Sequence, residues 1–296
     1  MEKYVLAIGE LLIDGITSLS VKDLSETVAL NIHPGGSPGN FCRYLKRCGT
    51  NSIIVATVGN DGLGKILVQK VAKEGIDTTY INQKEAYNTS FIVVARTNGT
   101  PDFIAYRDAD FHIDAISTKL IEQASILHTT AFALSKEPAC SNILDAFAKA
   151  HQMGIPVSVD WNYAVEIWGK QNNATQVFNQ LQEYKPYFKF SLDDIERFTS
   201  KKLNKEQAME YLNRIQASAI CLTCGSDGVY YKTGTDKNWS HLPAQKIEVK
   251  NATGAGDAFW SGFISAINAN ASLPKAVERG VYIASIKLQD KWNEIV

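Results

Sequence analysis

The hydrophobic positions of the chain fall into short, nearly continuous runs that alternate with longer amphipathic stretches. The short runs are rich in β-branched residues and predict strands at residues 5–8, 53–58, 126–128, 157–160 and 220–223. The longer stretches predict helices at residues 40–48, 62–74, 139–153 and 175–184. Apolar strands separated by helices indicate a parallel sheet that is covered on both faces. The expected fold class is therefore α/β, with three layers and a mostly parallel central sheet.

Two regions break this alternation and predict a second, smaller sheet. Residues 27–33 form a strand-like piece soon after the first strand, and residues 90–106 predict a β-hairpin whose turn holds Asn98-Gly99. In parallel α/β sheets, ligands bind at the carboxyl ends of the strands. Strands that leave such a domain and return to it could cover a ligand there. We therefore expect a lid.

The chain shows no linker, internal repeat or low-complexity tract. We expect a single domain over residues 1–296, with the lid built from about residues 12–34 and 88–107. Strands of such a lid with unpaired edges favour association, so a homodimer through the lid is a further expectation.

Composition and charge narrow the functional classes. The formal net charge of −1 at pH 7 provides no basic excess to neutralise nucleic-acid phosphates. No run approaches the ~20 apolar residues that cross a bilayer. The five scattered cysteines are typical of a reducing compartment. These features predict a cytoplasmic protein whose partners are neither nucleic acid nor membrane.

A glycine-rich segment near the C-terminus carries the clearest chemistry. Residues 251–259 read Asn-Ala-Thr-Gly-Ala-Gly-Asp-Ala-Phe and lead directly into an apolar helix. Because Gly254 and Gly256 lack side chains, an anion could approach their amides at the positive end of the helix dipole. The Asp257 carboxylate could then accept a proton from a hydroxyl during phosphoryl transfer. The alternative is a plain glycine turn in which Asp257 stabilises the first helical turn.

A second glycine-rich segment lies near the N-terminus. Residues 34–40 read Pro-Gly-Gly-Ser-Pro-Gly-Asn and precede a predicted helix. Gly35 and Gly36 allow the backbone to approach a polar ligand, and Asn40 offers a donor and an acceptor to sugar hydroxyls. By itself, the segment could equally be a turn with Asn40 near a helix N-terminus.

Together, the two segments resemble the paired signatures of the ribokinase-like (PfkB) carbohydrate kinases, and the chain looks most like the fructokinases among them. The usual forms are Asp-Thr-Thr-Gly-Ala-Gly-Asp-Ala-Phe and Gly-Gly-x-x-x-Asn. The resemblance covers roughly residues 4–290 and implies a ribokinase-like fold with a small β lid. It also implies that Asp257 is the catalytic base and that the amides of Gly254, Ala255 and Gly256 form an anion hole.

The resemblance also implies the remaining site residues. Substrate-binding roles fall on Asp14, Gly35, Gly36, Asn40, Arg107, Asp160 and Asn162. Nucleotide-binding roles fall on Ser191, Asp194, Thr223, Gly225 and Gly228. Asp194 would also organise magnesium-bound water around the phosphates. From the residues alone, Asp14 could instead be a turn cap, Arg107 a surface residue, and Asp160 part of a polar turn.

The implied cofactors are ATP and Mg²⁺. Activation by a monovalent cation stays open, because Asn251 stands where the family has an Asp that often helps to build that cation site. The chain also ends at Val296, which leaves little of the C-terminal loop that usually completes the site.

The implied reaction is transfer of the γ-phosphate to a primary hydroxyl of a small sugar, with D-fructose giving fructose 6-phosphate. The alternatives are a 2-keto-3-deoxygluconate kinase, a ribokinase or nucleoside kinase of the same fold, and a non-catalytic sugar-binding protein. Ala164 stands where ketodeoxygluconate kinases have an Arg for the substrate carboxylate, which favours a neutral sugar.

Overall fold

The computed structural model describes residues 3–27, 29–97, 102–169 and 173–292. The strands in these ranges are β1 Tyr4–Ile8, β2 Leu12–Ser20, β3 Leu30–Gly35, β4 Ser52–Gly59, β5 Ile81–Lys84, β6 Phe91–Arg96, β7 Phe103–Tyr106, β8 Ala124–Thr130, β9 Val157–Asp160, β10 Tyr187–Ser191, β11 Ala219–Thr223, β12 Val229–Thr233 and β13 Ser240–Leu242. The α-helices are α1 Ser37–Arg47, α2 Gly62–Lys73, α3 Thr118–Glu122, α4 Ala139–Gln152, α5 Val165–Trp168, α6 Ala174–Glu183, α7 Leu192–Thr199, α8 Lys205–Leu212, α9 Ala255–Asn268 and α10 Leu273–Gln289.

The large sheet has the strand order β13-β12-β11-β10-β9-β8-β1-β4-β5. Every pairing from β11 across to β5 is parallel, and only the β11–β12 and β12–β13 pairings at one edge are antiparallel. The expected α/β class with a mostly parallel central sheet is confirmed.

Helices cover both faces of this sheet because its strands are apolar on both sides. Leu6 and Ile8 of β1 pack into a core with α3, α4, α6, α7 and α8. Val5 and Ala7, which point the opposite way along the same strand, pack into a second core with α1, α2, α9 and α10. The two cores and the sheet between them form the three expected layers.

Among the elements that differ from the sequence-based expectation, two do so for clear local reasons. Helix α1 begins at Ser37 rather than at residue 40, because Pro38 in the first turn is compatible with a helix start. Strand β10 is not predicted by the hydrophobic pattern, because Lys189 interrupts its apolar run even though that residue is only 5% exposed.

The smaller sheet has the order β3-β2-β6-β7, in which β2 and β6 are parallel and the outer pairings are antiparallel. Strands β6 and β7 form the predicted antiparallel pair, while the predicted turn at Asn98-Gly99 lies outside the described residues. Within the part of the chain that the structure describes, no helix is both long and apolar enough to cross a membrane.

Candidate active site

The two glycine-rich segments meet at the start of α9. Gly254 caps this helix in the left-handed conformation, with φ of 75°, and Asp257 lies in the first turn. The Asp257 Oδ2 atom accepts a hydrogen bond of 2.9 Å from Asn40 Nδ2, although the two residues are 217 positions apart. Asp257 Oδ1 accepts a second hydrogen bond from Ser37 Oγ. The structure thus brings Asn40 and the proposed catalytic base together.

The pKa of the Asp257 carboxylate is raised toward neutral pH. Burial raises its pKa to about 6, and the negative charge of Asp160 acts in the same direction. The hydrogen bonds from Ser37 and Asn40 and the charge of Lys189 oppose this rise. A base that is ionised at neutral pH, with a pKa not far below it, suits proton removal from a hydroxyl.

Asp14, a residue of strand β2, lies at the same polar site as Asp257. A β-carbon placed on Gly35 would lie 2.1 Å from Asp14 Oδ2, so the carboxylate occupies the space that the glycine leaves free. Burial raises the pKa of Asp14 to about 6, with a further contribution from the charge of Asp257. Asp14, Gly35, Asn40 and Asp257 are therefore neighbours, as the sequence analysis requires.

Glu10 supports the residues around Asp257 through buried hydrogen bonds, a role that the sequence patterns do not reveal. The carboxyl group of Glu10 accepts hydrogen bonds from the Ser37 amide at 3.2 Å and from Thr130 Oγ1 at 2.8 Å. Burial raises its pKa to about 8. Glu10 therefore fixes the backbone of Gly36 and Ser37, whose hydroxyl donates to Asp257. Only the position of Glu10 directly after a buried strand could have signalled this.

Lys189 is the second residue of this site that the sequence patterns do not reveal. Its Nζ donates to both carboxylate oxygens of Asp160, at 2.7 and 2.9 Å, and both side chains are buried. A β-carbon placed on Gly256 would lie 3.2 Å from this Nζ, so the ammonium group lies against the proposed anion hole. A lysine inside an otherwise apolar strand was the available signal.

Asp160 is the last residue of β9 and Asn162 lies just after it; both side chains have partners within the protein. Asp160, predicted to bind substrate, places its carboxylate on Lys189. Asn162 Oδ1 accepts a hydrogen bond of 3.4 Å from the amide of Phe132. Asp160 therefore belongs to the cluster of charges around Asp257. Asn162 contacts the loop after β8.

Arg107 is occupied by a buried ion pair. Its guanidinium group donates to Asp110 Oδ2 at 2.6 and 3.0 Å, and its side chain is only 2% exposed. It also stacks on the Phe132 ring, 4.1 Å from the centroid, and donates to Ser135 Oγ. The structure therefore places Arg107 between β7 and the loop after β8, with its charge neutralised.

Ser191 and Asp194 form a reciprocal cap at the start of α7. Ser191 Oγ accepts from the Asp194 amide, and Asp194 Oδ2 accepts from the Ser191 amide at 2.7 Å. Burial raises the pKa of Asp194 to about 6, while Lys189 opposes that rise. Among the described residues, no group of three or more His, Cys, Asp or Glu side chains is arranged to hold a metal. One carboxylate beside bound phosphates is nevertheless a common arrangement for Mg²⁺.

The predicted nucleotide residues after β11 form a tight turn beside Ser191. Strand pairing sets Ser191 opposite Thr223, whose hydroxyl donates to the Phe190 carbonyl oxygen. A 3₁₀ turn follows at Gly225–Asp227, and Gly225 and Gly228 both have positive φ. The structure brings Ser191, Thr223 and this turn to the same edge of the sheet as α9.

The comparisons with known proteins agree with this geometry. A family model described as pfkB family carbohydrate kinase matches residues 2–292. The chain belongs to this family.

Relatives of this carbohydrate kinase carry different substrate names. It is 35% identical to the ATP-dependent 6-phosphofructokinase of Thermoanaerobacterium thermosaccharolyticum, over 97% of this chain and 89% of that protein. It is 26% identical to the 5-dehydro-2-deoxygluconokinase of Geobacillus thermodenitrificans, over 95% of this chain and 86% of that protein. The structure of Halothermothrix orenii fructokinase superposes with a TM-score of 0.83 at 28% identity, covering 95% of this chain and 97% of that chain. The family and the ribokinase-like fold expected from the sequence are confirmed.

Proposed function

We propose that this carbohydrate kinase transfers the γ-phosphoryl group of ATP to the O6 hydroxyl of D-fructose. One observation supports the chemistry above all: the Asp257 carboxylate lies in the first turn of α9, after Gly254 and Gly256, and accepts hydrogen bonds from Ser37 and Asn40. A base and a set of helix N-terminal amides thus converge on one point.

In the proposed mechanism, the sugar binds between Asp14, Asn40 and Asp257, and one of its hydroxyls replaces the hydrogen bond that Asn40 now donates to Asp257. Asp257 removes the proton of the attacking hydroxyl as the oxygen approaches the γ-phosphorus. The amides of residues 254–256 stabilise the charge that develops on the phosphoryl oxygens. The Lys189 ammonium group, held by Asp160 against Gly256, adds a fixed positive charge at the same place.

The nucleotide would lie along the edge formed by Ser191, Thr223 and the turn at Gly225–Asp227. Gly228 has a φ of 99°, and a β-carbon there would lie 2.2 Å from the Leu242 carbonyl oxygen, so the turn keeps its shape only with glycine. Mg²⁺ would be held by the phosphates and the Asp194 carboxylate, and its positive charge would offset the negative charge of the phosphates.

The charges on the sugar side support a neutral substrate. Asp14 and Asp257 bring two carboxylates to the sugar side, and the positive charge of Arg107 is neutralised by Asp110. A sugar acid or sugar phosphate would meet these carboxylates, and Arg107 is not free to pair with its charge. Electrostatic complementarity therefore favours fructose over 2-keto-3-deoxygluconate.

A second candidate is fructose 6-phosphate, which the 35% identical 6-phosphofructokinase favours. Binding of its phosphate group would need a cation such as Arg107 released from Asp110, Arg43 beside Asn40, or a cation from another copy of the chain. Arg107 and Arg43 both donate to groups of the protein here, so this candidate requires a rearrangement that fructose does not.

The test is a panel of acceptors in an ADP-release assay: fructose, fructose 6-phosphate, 2-keto-3-deoxygluconate, ribose and adenosine. We expect kcat/KM for fructose to exceed that of every other acceptor by about tenfold or more. The Asp257→Asn variant supplies the background of ATP hydrolysis. A higher kcat/KM for fructose 6-phosphate than for fructose would identify fructose 6-phosphate as the substrate. Sugar binding without turnover would indicate a non-catalytic binding protein.

We also propose that the small sheet is a lid and that a second copy of the chain covers its outer face. Strand register sets Ile32, Gly15, Val93 and Ile104 in one row across the four strands. Ile32 is 51% exposed and Ile104 is 45% exposed. This row faces away from Asp14, because neighbouring residues along a strand point to opposite faces. An exposed apolar face of this kind is typical of an interface.

A further inference from the structure

Lys287 in the last full turn of α10 is buried although it is a lysine. The residue is 9% exposed, and its Nζ donates to the backbone carbonyl oxygen of Asn251 at 3.4 Å. A lysine near a helix C-terminus ordinarily interacts with the helix dipole and keeps its charge in water. Here the side chain instead reaches a different segment of the chain.

The segment that Lys287 contacts leads directly into the anion hole. The amides of Lys250 and Asn251 donate to the Leu288 carbonyl oxygen, at 2.8 and 3.4 Å, which ties the segment to the end of α10. A β-carbon placed on Gly254 would lie 3.9 Å from Lys287 Cε and 3.8 Å from Asp257 Oδ2. The lysine and the catalytic base therefore approach Gly254 together.

The charge of Lys287 has little local compensation. Burial lowers the pKa of its ammonium group; the charge of Asp290 opposes this effect, and the charge of Arg43 adds to it. Within the ranges that the structure describes, Lys287 forms no ion pair. Holding a cation in such a place is unfavourable for stability, which points to a role in the site.

The oxygens of Asn251 are already engaged, so they do not fit a soluble cation. Asn251 occupies the signature position at which the family's Asp often helps to build a monovalent-cation site. Its backbone oxygen accepts from the Lys287 ammonium group, and its side-chain oxygen accepts from the Thr253 amide at 2.9 Å. Both oxygens that Asn251 could offer to a potassium ion are therefore used by groups of the protein.

We propose that the Lys287 ammonium group is a tethered cation that positions residues 251–254 and makes the enzyme independent of soluble monovalent cations. The inference rests on the proposed kinase function. Lys287 is a positioning residue in this account: it fixes the segment through the Asn251 carbonyl and adds positive potential behind the amides that receive the phosphoryl group.

The test compares wild type with Lys287→Ala and Lys287→Met in about 100 mM choline chloride, potassium chloride or ammonium chloride, at equal ionic strength. ADP is quantified by chromatography, so that no coupling enzyme responds to the salt. We expect wild-type kcat to change less than about twofold among the salts. The variants should lose about tenfold or more in kcat in choline, with sugar KM nearly unchanged, and recover part of it in potassium or ammonium.

The melting temperature of the same samples gives a readout that does not depend on activity. Potassium or ammonium should raise the melting temperature of Lys287→Ala by about 2–3 °C relative to choline, and should leave wild type unchanged. Lys275→Ala is the matched control, because Lys275 lies on the same helix but is exposed and paired with Glu278.

Several results would overturn the inference. These are activation or stabilisation of wild type by potassium, wild-type kinetics of the Lys287 variants in choline, and a loss of activity in the variants that does not respond to the cations. If no sugar is phosphorylated by wild type, the proposed function fails instead, and the melting temperatures still decide the role of Lys287.

Discussion

At the scale of single residues, Asp257 is the proposed catalytic base because of its position and its pKa. Replacing it with Ala removes the base and leaves the sugar contacts of Asp14 and Asn40 in place. We expect kcat to fall by roughly 10²–10⁴-fold, about 3–5 kcal/mol of barrier, with little change in the Kd for sugar. Steady-state kinetics and calorimetry check this, with Asp145→Ala on the surface of α4 as the control. Wild-type turnover in Asp257→Ala would contradict the assignment.

The pKa of Asp257 predicts the acid limb of the pH profile. The base works only when ionised, so kcat/KM should fall as the pH drops below about 6. The hydrogen bond from Ser37 favours the ionised form and lowers this pKa. In Ser37→Ala the acid limb should therefore move to higher pH. A profile that stays in place would show that Ser37 does not tune the base.

Lys189 and Asp160 can be tested as a pair, because structure and catalysis respond differently to their removal. Lys189→Met leaves a buried carboxylate without a partner and should lower the free energy of unfolding by about 3–5 kcal/mol. Adding Asp160→Asn removes that charge and should restore much of the stability, while kcat stays low because the anion hole has lost its cation. Lys149→Met, in an exposed pair with Asp145, should change stability by less than about 1 kcal/mol. Recovery of kcat in the double variant would assign the pair a purely structural role.

At the scale of elements, the proposed mechanism depends most on the start of α9, because this turn presents both the helix N-terminal amides and the Asp257 carboxylate. A methyl group at residue 256 would contact Lys189 Nζ at 3.2 Å and push it from the anion hole. We expect Gly256→Ala to lower kcat by about tenfold or more, with a small effect on the melting temperature. Gly62→Ala is the matched control: it also lies in the first turn of a helix, where a β-carbon meets nothing within 4 Å. Equal kinetics for the two variants would contradict the proposed role of Gly256.

At the scale of the whole molecule, the outer face of the small sheet predicts a dimer. Ile104→Glu places a charge on the exposed apolar row and should give a monomer, as measured by analytical ultracentrifugation. Ile66 on α2 is similarly exposed, at 42% against 45% for Ile104, so Ile66→Glu should leave the dimer intact. A monomeric wild type at micromolar concentration, or dissociation by both substitutions, would reject this interface.

The amino-acid sequence is sufficient to predict the α/β class, because the periodicity of apolar residues is a local property of strands and helices. It is also sufficient to locate the two glycine-rich segments and to propose Asp257 as the base, since amides free of side chains beside a carboxylate leave a recognisable pattern. It did not predict β10, whose buried lysine breaks the apolar run.

The contacts among these groups come from the tertiary structure. It joined Asp257 to Ser37 and Asn40, placed Asp160 on Lys189, engaged Arg107 with Asp110, and brought Lys287 to Asn251. Residues far apart in the chain become neighbours through the strand order and helix packing, which local patterns do not record. The charges that remain free to meet a substrate depend on those pairings, and so does the proposed preference for a neutral sugar.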